Sequence, residues 1–192
     1  MKHIILFPGS FNPVHAGHLI LANYAASFID CDEVWLMVSP HNPLKNESSL
    51  IDAALRFRWV KMALNNHPKI KATDYEFSLP QPTYTYSTLQ SLQTAYPNIH
   101  FSLLIGADNW LVFNQWKEYR KIIGEIPLLI YPRPQAHIDE TTLPPHVSLV
   151  QAPMIEISSS MIRQALQKGI DVQFFMPSTV YDEAKRFFRN AE

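Results

Sequence analysis

Short apolar runs alternate with helical patterns along this chain, and that alternation restricts its fold more than any other feature. Residues 3–7, 34–38, 70–75, 100–105, 127–131 and 147–150 are apolar runs of strand length. Between them, residues 16–28, 52–64 and 85–96 carry the signals of helices, and 160–167 and 178–188 close the chain as two more. In the first helix Leu19, Ile20, Asn23 and Ala26 trace the expected buried stripe; in the second Leu55, Trp59, Met62 and Ala63 share a face, with Asp52 as the cap. Pro80 and Pro82 make 77–82 loop, Pro97 ends the third helix, and Gly169 stands where a helix stop belongs. Strand followed by helix, repeated, predicts a parallel sheet covered on both faces: one α/β, Rossmann-like, doubly wound domain. The loosest stretches, 39–49 and 132–145, are rich in proline and read as surface loops.

A chain of 192 residues that is 47% hydrophobic has room for one such domain and enough apolar surface for a core. Sixteen Lys and Arg against 17 Asp and Glu give a formal charge of -1, which argues against a broad nucleic-acid footprint and a polybasic membrane anchor. Cys31 is the only cysteine, so neither an intrachain disulfide nor a thiol zinc cluster is available. The opening MKHIILFPG lacks the long apolar region of a secretory leader, and a cytoplasmic protein is the expectation. The oligomeric state is not readable here.

Sheets of this class bind ligands at the carboxyl ends of their strands, so the first strand-to-helix turn is where chemistry is expected. It reads Phe7-Pro8-Gly9-Ser10-Phe11-Asn12-Pro13-Val14-His15-Ala16-Gly17-His18, and holds two of the five glycines. Neither GxGxxG nor GxxxxGK[ST] is present. What remains is His15 and His18 around Gly17 at a helix start, where backbone N–H groups and the helix dipole favour an anion. Imidazoles there donate to phosphate oxygens and, with an ordinary pKa of about 6.5, can carry charge. Either histidine alone also reads as a solvated or capping residue. A zinc site lacks a third ligand and an HExxH pattern.

The segment from Gly9 to His18 resembles the HxGH signature of a nucleotidyltransferase superfamily, and Ile157-Ser158-Ser159-Ser160-Met161-Ile162-Arg163 resembles its second signature, ISSTxIR, about 140 residues on. Serines opening a helix offer hydroxyls and N–H groups to polyphosphate, and Arg163 adds a charged fork; the same serines also serve as an ordinary cap. Ser39-Pro40-His41-Asn42-Pro43-Leu44-Lys45, Pro82-Thr83-Tyr84-Thr85, Ile105-Gly106-Ala107-Asp108, Trp116 and Tyr131-Pro132-Arg133-Pro134 together resemble the bacterial nicotinate-nucleotide adenylyltransferases over nearly the whole chain.

The resemblance implies transfer of AMP from ATP to nicotinate mononucleotide, giving deamido-NAD and pyrophosphate. It implies catalytic roles for His15, His18 and Arg163, and an ATP site from Gly9, Ser10, Phe11, Gly17, Gly106, Asp108, Ser158 and Ser159. Lys45, Thr85, Trp116 and Arg133 fall to the nicotinate mononucleotide, Trp116 by stacking. Mg²⁺ is implied as a passenger of the ATP phosphates, with no protein metal site. One domain over 1–192 is implied, its 157–192 segment completing the ATP site, with no nucleic-acid or membrane partner. The chain departs from the family pattern at Asn12, where an acid is usual, across His41 to Lys45, and at Lys117, where an aromatic often follows the tryptophan. The alternatives are nicotinamide-mononucleotide or pantetheine-phosphate adenylyltransferase, or a non-catalytic nucleotide-binding regulator.

Overall fold

The computed structural model describes residues 1–41 and 50–189. Its strands are β1 (Lys2–Gly9), β2 (Glu33–Val38), β3 (Ile70–Thr73), β4 (Ile99–Gly106), β5 (Leu128–Tyr131) and β6 (Val147–Leu149). They form one sheet in the order β3-β2-β1-β4-β5-β6, and every pair is parallel. The helices are α1 (Ala16–Phe28), α2 (Ala53–Leu64), α3 (Thr85–Ala95), α4 (Ala107–Leu111), α5 (Tyr119–Glu125), α6 (Ser159–Gln167) and α7 (Ser178–Arg189).

Central strands of a parallel sheet are buried on both faces, and alternate side chains feed two separate cores. Ile5, Phe7, Leu36 and Val38 pack beneath α1, α2, α6 and α7. Ile4, Leu6, Leu103 and Ile105 pack beneath α3, α4 and α5. The doubly wound α/β architecture expected from the sequence is therefore present.

Several local expectations are corrected. The buried residues of α1 are Leu21, Ala22, Ala25 and Ala26, whereas Asn23 is exposed and Ile20 is 44% exposed. Small alanines let this helix approach the sheet closely, and the larger Ile20 is left outside. β1 runs on to Gly9, through Pro8, where a stop was expected. Its pairing with β4 ends at Leu6, so Pro8 is paired on its β2 side alone, a position that tolerates a missing N–H. β3 ends at Thr73, and a 3₁₀ turn over Tyr75–Ser78 enters the stretch expected to be loop. It stops at Leu79, which Pro80 holds extended. α4 and α5 had no counterpart in the sequence reading; at five and seven residues they show no full apolar period. Gly169 does end α6: it adopts φ +72°, the N–H of Ile170 reaches the Ala165 carbonyl at 2.9 Å, and its own N–H reaches Leu166 at 3.1 Å. Among the described residues, no helix is long and apolar enough to cross a membrane.

Candidate active site

β1 leads into α1 on one face of the sheet and β4 into α4 on the other, the strand reversal at which doubly wound sheets open a crevice. Two cavities occupy it, of 360 and 160 Å³. They share a wall made of Phe7, Pro8, Gly9, Ser10, Asn109 and Tyr131.

The larger cavity gathers most of the residues expected to meet ATP: Gly9, Ser10, Phe11, His15, His18, Asp108, Ser158, Ser159 and Arg163 all line it. His15 is the N-cap of α1 and only 3% exposed. Its ring stacks on that of His18 with centroids 3.6 Å apart. Gly17 makes this possible, since a Cβ there would lie 3.1 Å from the His15 ring. Gly17 itself lines the narrow cleft beside the two imidazoles. His18 accepts the His15 N–H at Nδ1, 3.3 Å away, which puts the proton of neutral His18 on Nε2. Phe11 sits edge-on to His18 at 4.9 Å and fills the space over Gly9, where a Cβ would come within 2.9 Å of its ring. Nδ1 of His15 is buried without a hydrogen-bond partner. Burial, and then the charge of Arg133, lowers the His15 pKa to about 3. The expectation that this imidazole carries charge is thus corrected: desolvation keeps it neutral.

α6 is stitched to the same turn. Ser158 caps the helix by accepting the Met161 N–H at 3.2 Å, and Ser159 Oγ donates to the Pro13 carbonyl at 2.9 Å. Arg163 donates to the Asn12 carbonyl at 2.8 Å and to Ser160 Oγ at 3.3 Å. Burial lowers the Arg163 pKa, yet a guanidinium keeps its proton. Across the cavity, Arg133 donates to Tyr131 Oη at 2.9 Å and its Nε lies 3.8 Å from Asp108 Oδ1. Arg133 therefore belongs to the larger cavity's wall and not to the one with Thr85 and Trp116. Gly106 caps α4 and lines the smaller cavity; a Cβ there would run into the Asp108 carboxylate and the Tyr131 ring.

The smaller cavity is lined by Thr85, Trp116, Tyr84, Lys117 and Glu76. Thr85 is the first residue of α3; the cap is Tyr84, which offers no side-chain bond to the helix N–H groups. Trp116 packs on Phe113 at 4.9 Å, and its Nε1 is buried without a partner. Lys45 lies outside the described residues.

Residues 6–165 match the cytidylyltransferase-like family. A Bacteroides fragilis protein named "Probable nicotinate-nucleotide adenylyltransferase" is 47% identical over 176 residues, 92% of this chain and 88% of its own length. A Bacteroides thetaiotaomicron protein of the same name is 46% identical over 97% of this chain and 92% of its own. The solved Plasmodium falciparum nicotinic acid mononucleotide adenylyltransferase complexed with NaAD superposes with a TM-score of 0.84, at 25% identity and full coverage of both chains. The chain belongs to the nicotinate-nucleotide adenylyltransferases, within the cytidylyltransferase-like family.

Two residues of this family member without a local sequence motif brace the site: Arg56 beside both cavities and Glu76 in the smaller one. Arg56 of α2 is 0% exposed. Its guanidinium donates to the carbonyls of Ser10 at 2.6 Å, Ser39 at 2.8 Å, Pro40 at 2.8 Å and Ile51 at 3.0 Å. One side chain thus ties the turn after β1 to the segment after β2. The signal was available: Arg56 lies three and four residues before Trp59 and Val60, on the buried face of its helix. Glu76 is 4% exposed and accepts from Thr88 Oγ1 at 2.8 Å and Thr83 Oγ1 at 3.4 Å. Burial raises its pKa against the bonds from Thr88, Ser39 and Thr83. No spacing in the sequence links those partners.

Proposed function

We propose that the larger cavity binds ATP, the smaller binds nicotinate mononucleotide, and AMP passes between them at the shared wall, giving deamido-NAD and pyrophosphate. The observation that carries this reading is that wall: Gly9 and Ser10 border both cavities, so two phosphates brought in from opposite sides meet beside two small residues. The mononucleotide phosphate attacks the α-phosphorus in line and pyrophosphate leaves. The transfer needs no protein nucleophile; Cys31 is buried, its Sγ 3.7 Å from the Ala25 carbonyl. Its contribution is position and charge stabilisation. His18 donates through Nε2–H, the neutral His15 stacks behind it, and Arg163 and Arg133 face the β- and γ-phosphates. Asp108 accepts from a ribose hydroxyl, and Trp116 stacks on the pyridine ring.

No group of three His, Cys, Asp or Glu side chains able to hold a metal ion occurs among the described residues. The larger cavity offers imidazoles and guanidiniums, with Asp108 its one carboxylate among the described residues. That donor set suits anions, so Mg²⁺ would be carried by the ATP phosphates and not by protein ligands, and would supply charge neutralisation for the leaving pyrophosphate. The chain works in the cytoplasm as one domain over 1–192, residues 157–192 completing the ATP side, and takes no nucleic-acid or membrane partner.

Pyrophosphate release is measured with ATP and Mg²⁺, offering nicotinate mononucleotide, nicotinamide mononucleotide or phosphopantetheine. The acid mononucleotide is expected to give the fastest release. Preference for either other acceptor would reassign the smaller cavity, and ATP binding without release with any of them would make the chain a nucleotide-binding regulator.

A further inference from the structure

Nicotinate and nicotinamide have nearly the same shape and differ by one charge. A pocket separates them with fixed N–H donors or with a cation; the rotatable amides Asn109 and Gln115, which line the smaller cavity, each carry a donor and an acceptor and can turn to suit either ligand. The carboxyl of Glu76 in the same wall works against an anion whenever it is ionised. Of the two cations expected on this side, Arg133 stands in the other cavity and Lys45 lies outside the described residues. Among the described residues that line the smaller cavity, Lys117 is the one lysine or arginine.

Lys117 is held in place. Its Nζ lies 4.4 Å from the centroid of the Tyr84 ring, a cation–π contact that limits where a long, exposed side chain can wander. Tyr84 is the cap of α3 and Thr85 its first residue. The ammonium is therefore tethered at the positive end of that helix, one residue along the chain from Trp116. No carboxylate forms an ion pair with it among the described residues.

We propose that Lys117 is the specificity-determining residue of the smaller cavity: tethered over Tyr84, it supplies the positive charge that favours an acid mononucleotide over its amide. The proposal rests on the reading of this cavity as the mononucleotide site. A carboxylate entering between Thr85 and Trp116 meets both the α3 N-terminus and the ammonium. An amide gains only the hydrogen bonds. The protein thus places selectivity in a charge over Tyr84 beside the α3 N-terminus, while the stacking ring alone does not distinguish the two.

The test compares kcat/KM for nicotinate mononucleotide and nicotinamide mononucleotide in the wild type, Lys117→Met and Lys117→Arg. The inhibition constant of the amide against the acid stands in wherever turnover of the amide is too slow to follow. Met keeps the aliphatic stem and removes the charge; the expected result is a fall of about tenfold in the acid-to-amide ratio, with KM for ATP unchanged. Arg restores the ratio, and raising salt erodes it in the wild type but not in the Met variant. A merely structural Lys117 would lower both substrates together and leave the ratio alone, which overturns the proposal while the adenylyl-transfer reading stands. A wild type that turns over both substrates equally also overturns it. A wild type inactive with both overturns the proposal and the reading beneath it.

Discussion

The two cavities on either side of Gly9 and Ser10 are built in opposite ways. The larger one is closed by Asp108 and Arg133 from the ends of β4 and β5 but is drawn mainly from two short segments, with His15 and His18 one helical turn apart and Ser158 to Arg163 within two turns. Their geometry is set by backbone, with His15 as a cap, Gly17 leaving room for its ring, and α6 bonded to the Asn12 and Pro13 carbonyls. The smaller cavity is assembled from α3, the stretch after α4, the 3₁₀ turn with Glu76 and the segment after β2, brought together by Arg56, Glu76 and Phe113. One half of the site can be recognised from a short word; the other exists only after the chain has folded. The first should therefore fail by losing chemistry, and the second by losing its shape.

The largest separation is expected at His18. His18→Ala removes a preorganised donor, together with the acceptor of the His15 N–H, so kcat should drop about 10²- to 10³-fold while the protein stays folded. A folded variant of normal rate would refute the role given to this imidazole. Arg56→Met tests the opposite mode. Four carbonyls lose their shared donor, and stability should fall by about 3 kcal/mol in urea titration. Where the variant is still folded, KM should rise for both substrates, because Arg56 holds both Ser10 and Ser39; an effect confined to one substrate would break the idea of a common strut.

His15 gives a pH signature that belongs to the larger cavity alone. Its native pKa is about 3 against the ordinary 6.5, so between those values the unfolded chain binds a proton that the native chain excludes. Stability from this group is complete above neutrality and is lost as the pH falls, by about 2 kcal/mol at pH 5. Thermal unfolding of the ligand-free protein at pH 7 and pH 5, beside His15→Gln, should show a smaller acid penalty in the variant; equal penalties would mean that the ring is not buried in solution. The mildest change is expected from Trp116→Ala, about tenfold in KM for the mononucleotide with KM for ATP unmoved. A rise for ATP instead would exchange the two cavities.

The parts legible in the sequence share a physical cause. The sheet was readable because strands buried on both faces are apolar throughout, and the gathering of His15 and His18 beside the larger cavity because cap, glycine and histidines are neighbours in the chain. α4 and α5 were not, since helices of five and seven residues carry too few turns for a period to show. The buried face of α1 does not show in its large residues, because Ala22, Ala25 and Ala26 weigh little beside Ile20, although a flat alanine face is what lets a helix sit close to a sheet. Arg56 was passed over because a guanidinium is ordinarily solvated. Glu76 finds its partners Thr83 and Thr88 seven and twelve residues away, a spacing no local rule marks.

The thin partition at Gly9 and Ser10 also bears on inhibition. A molecule that joins two nucleotides through a pyrophosphate would straddle the partition, resting one half in each chamber, and would compete with both substrates at once. The second half would then engage at an effective concentration set by the linkage, not by what is free in solution. A linked compound should consequently bind far more tightly than either half, and the same linkage would slow the release of a joined product.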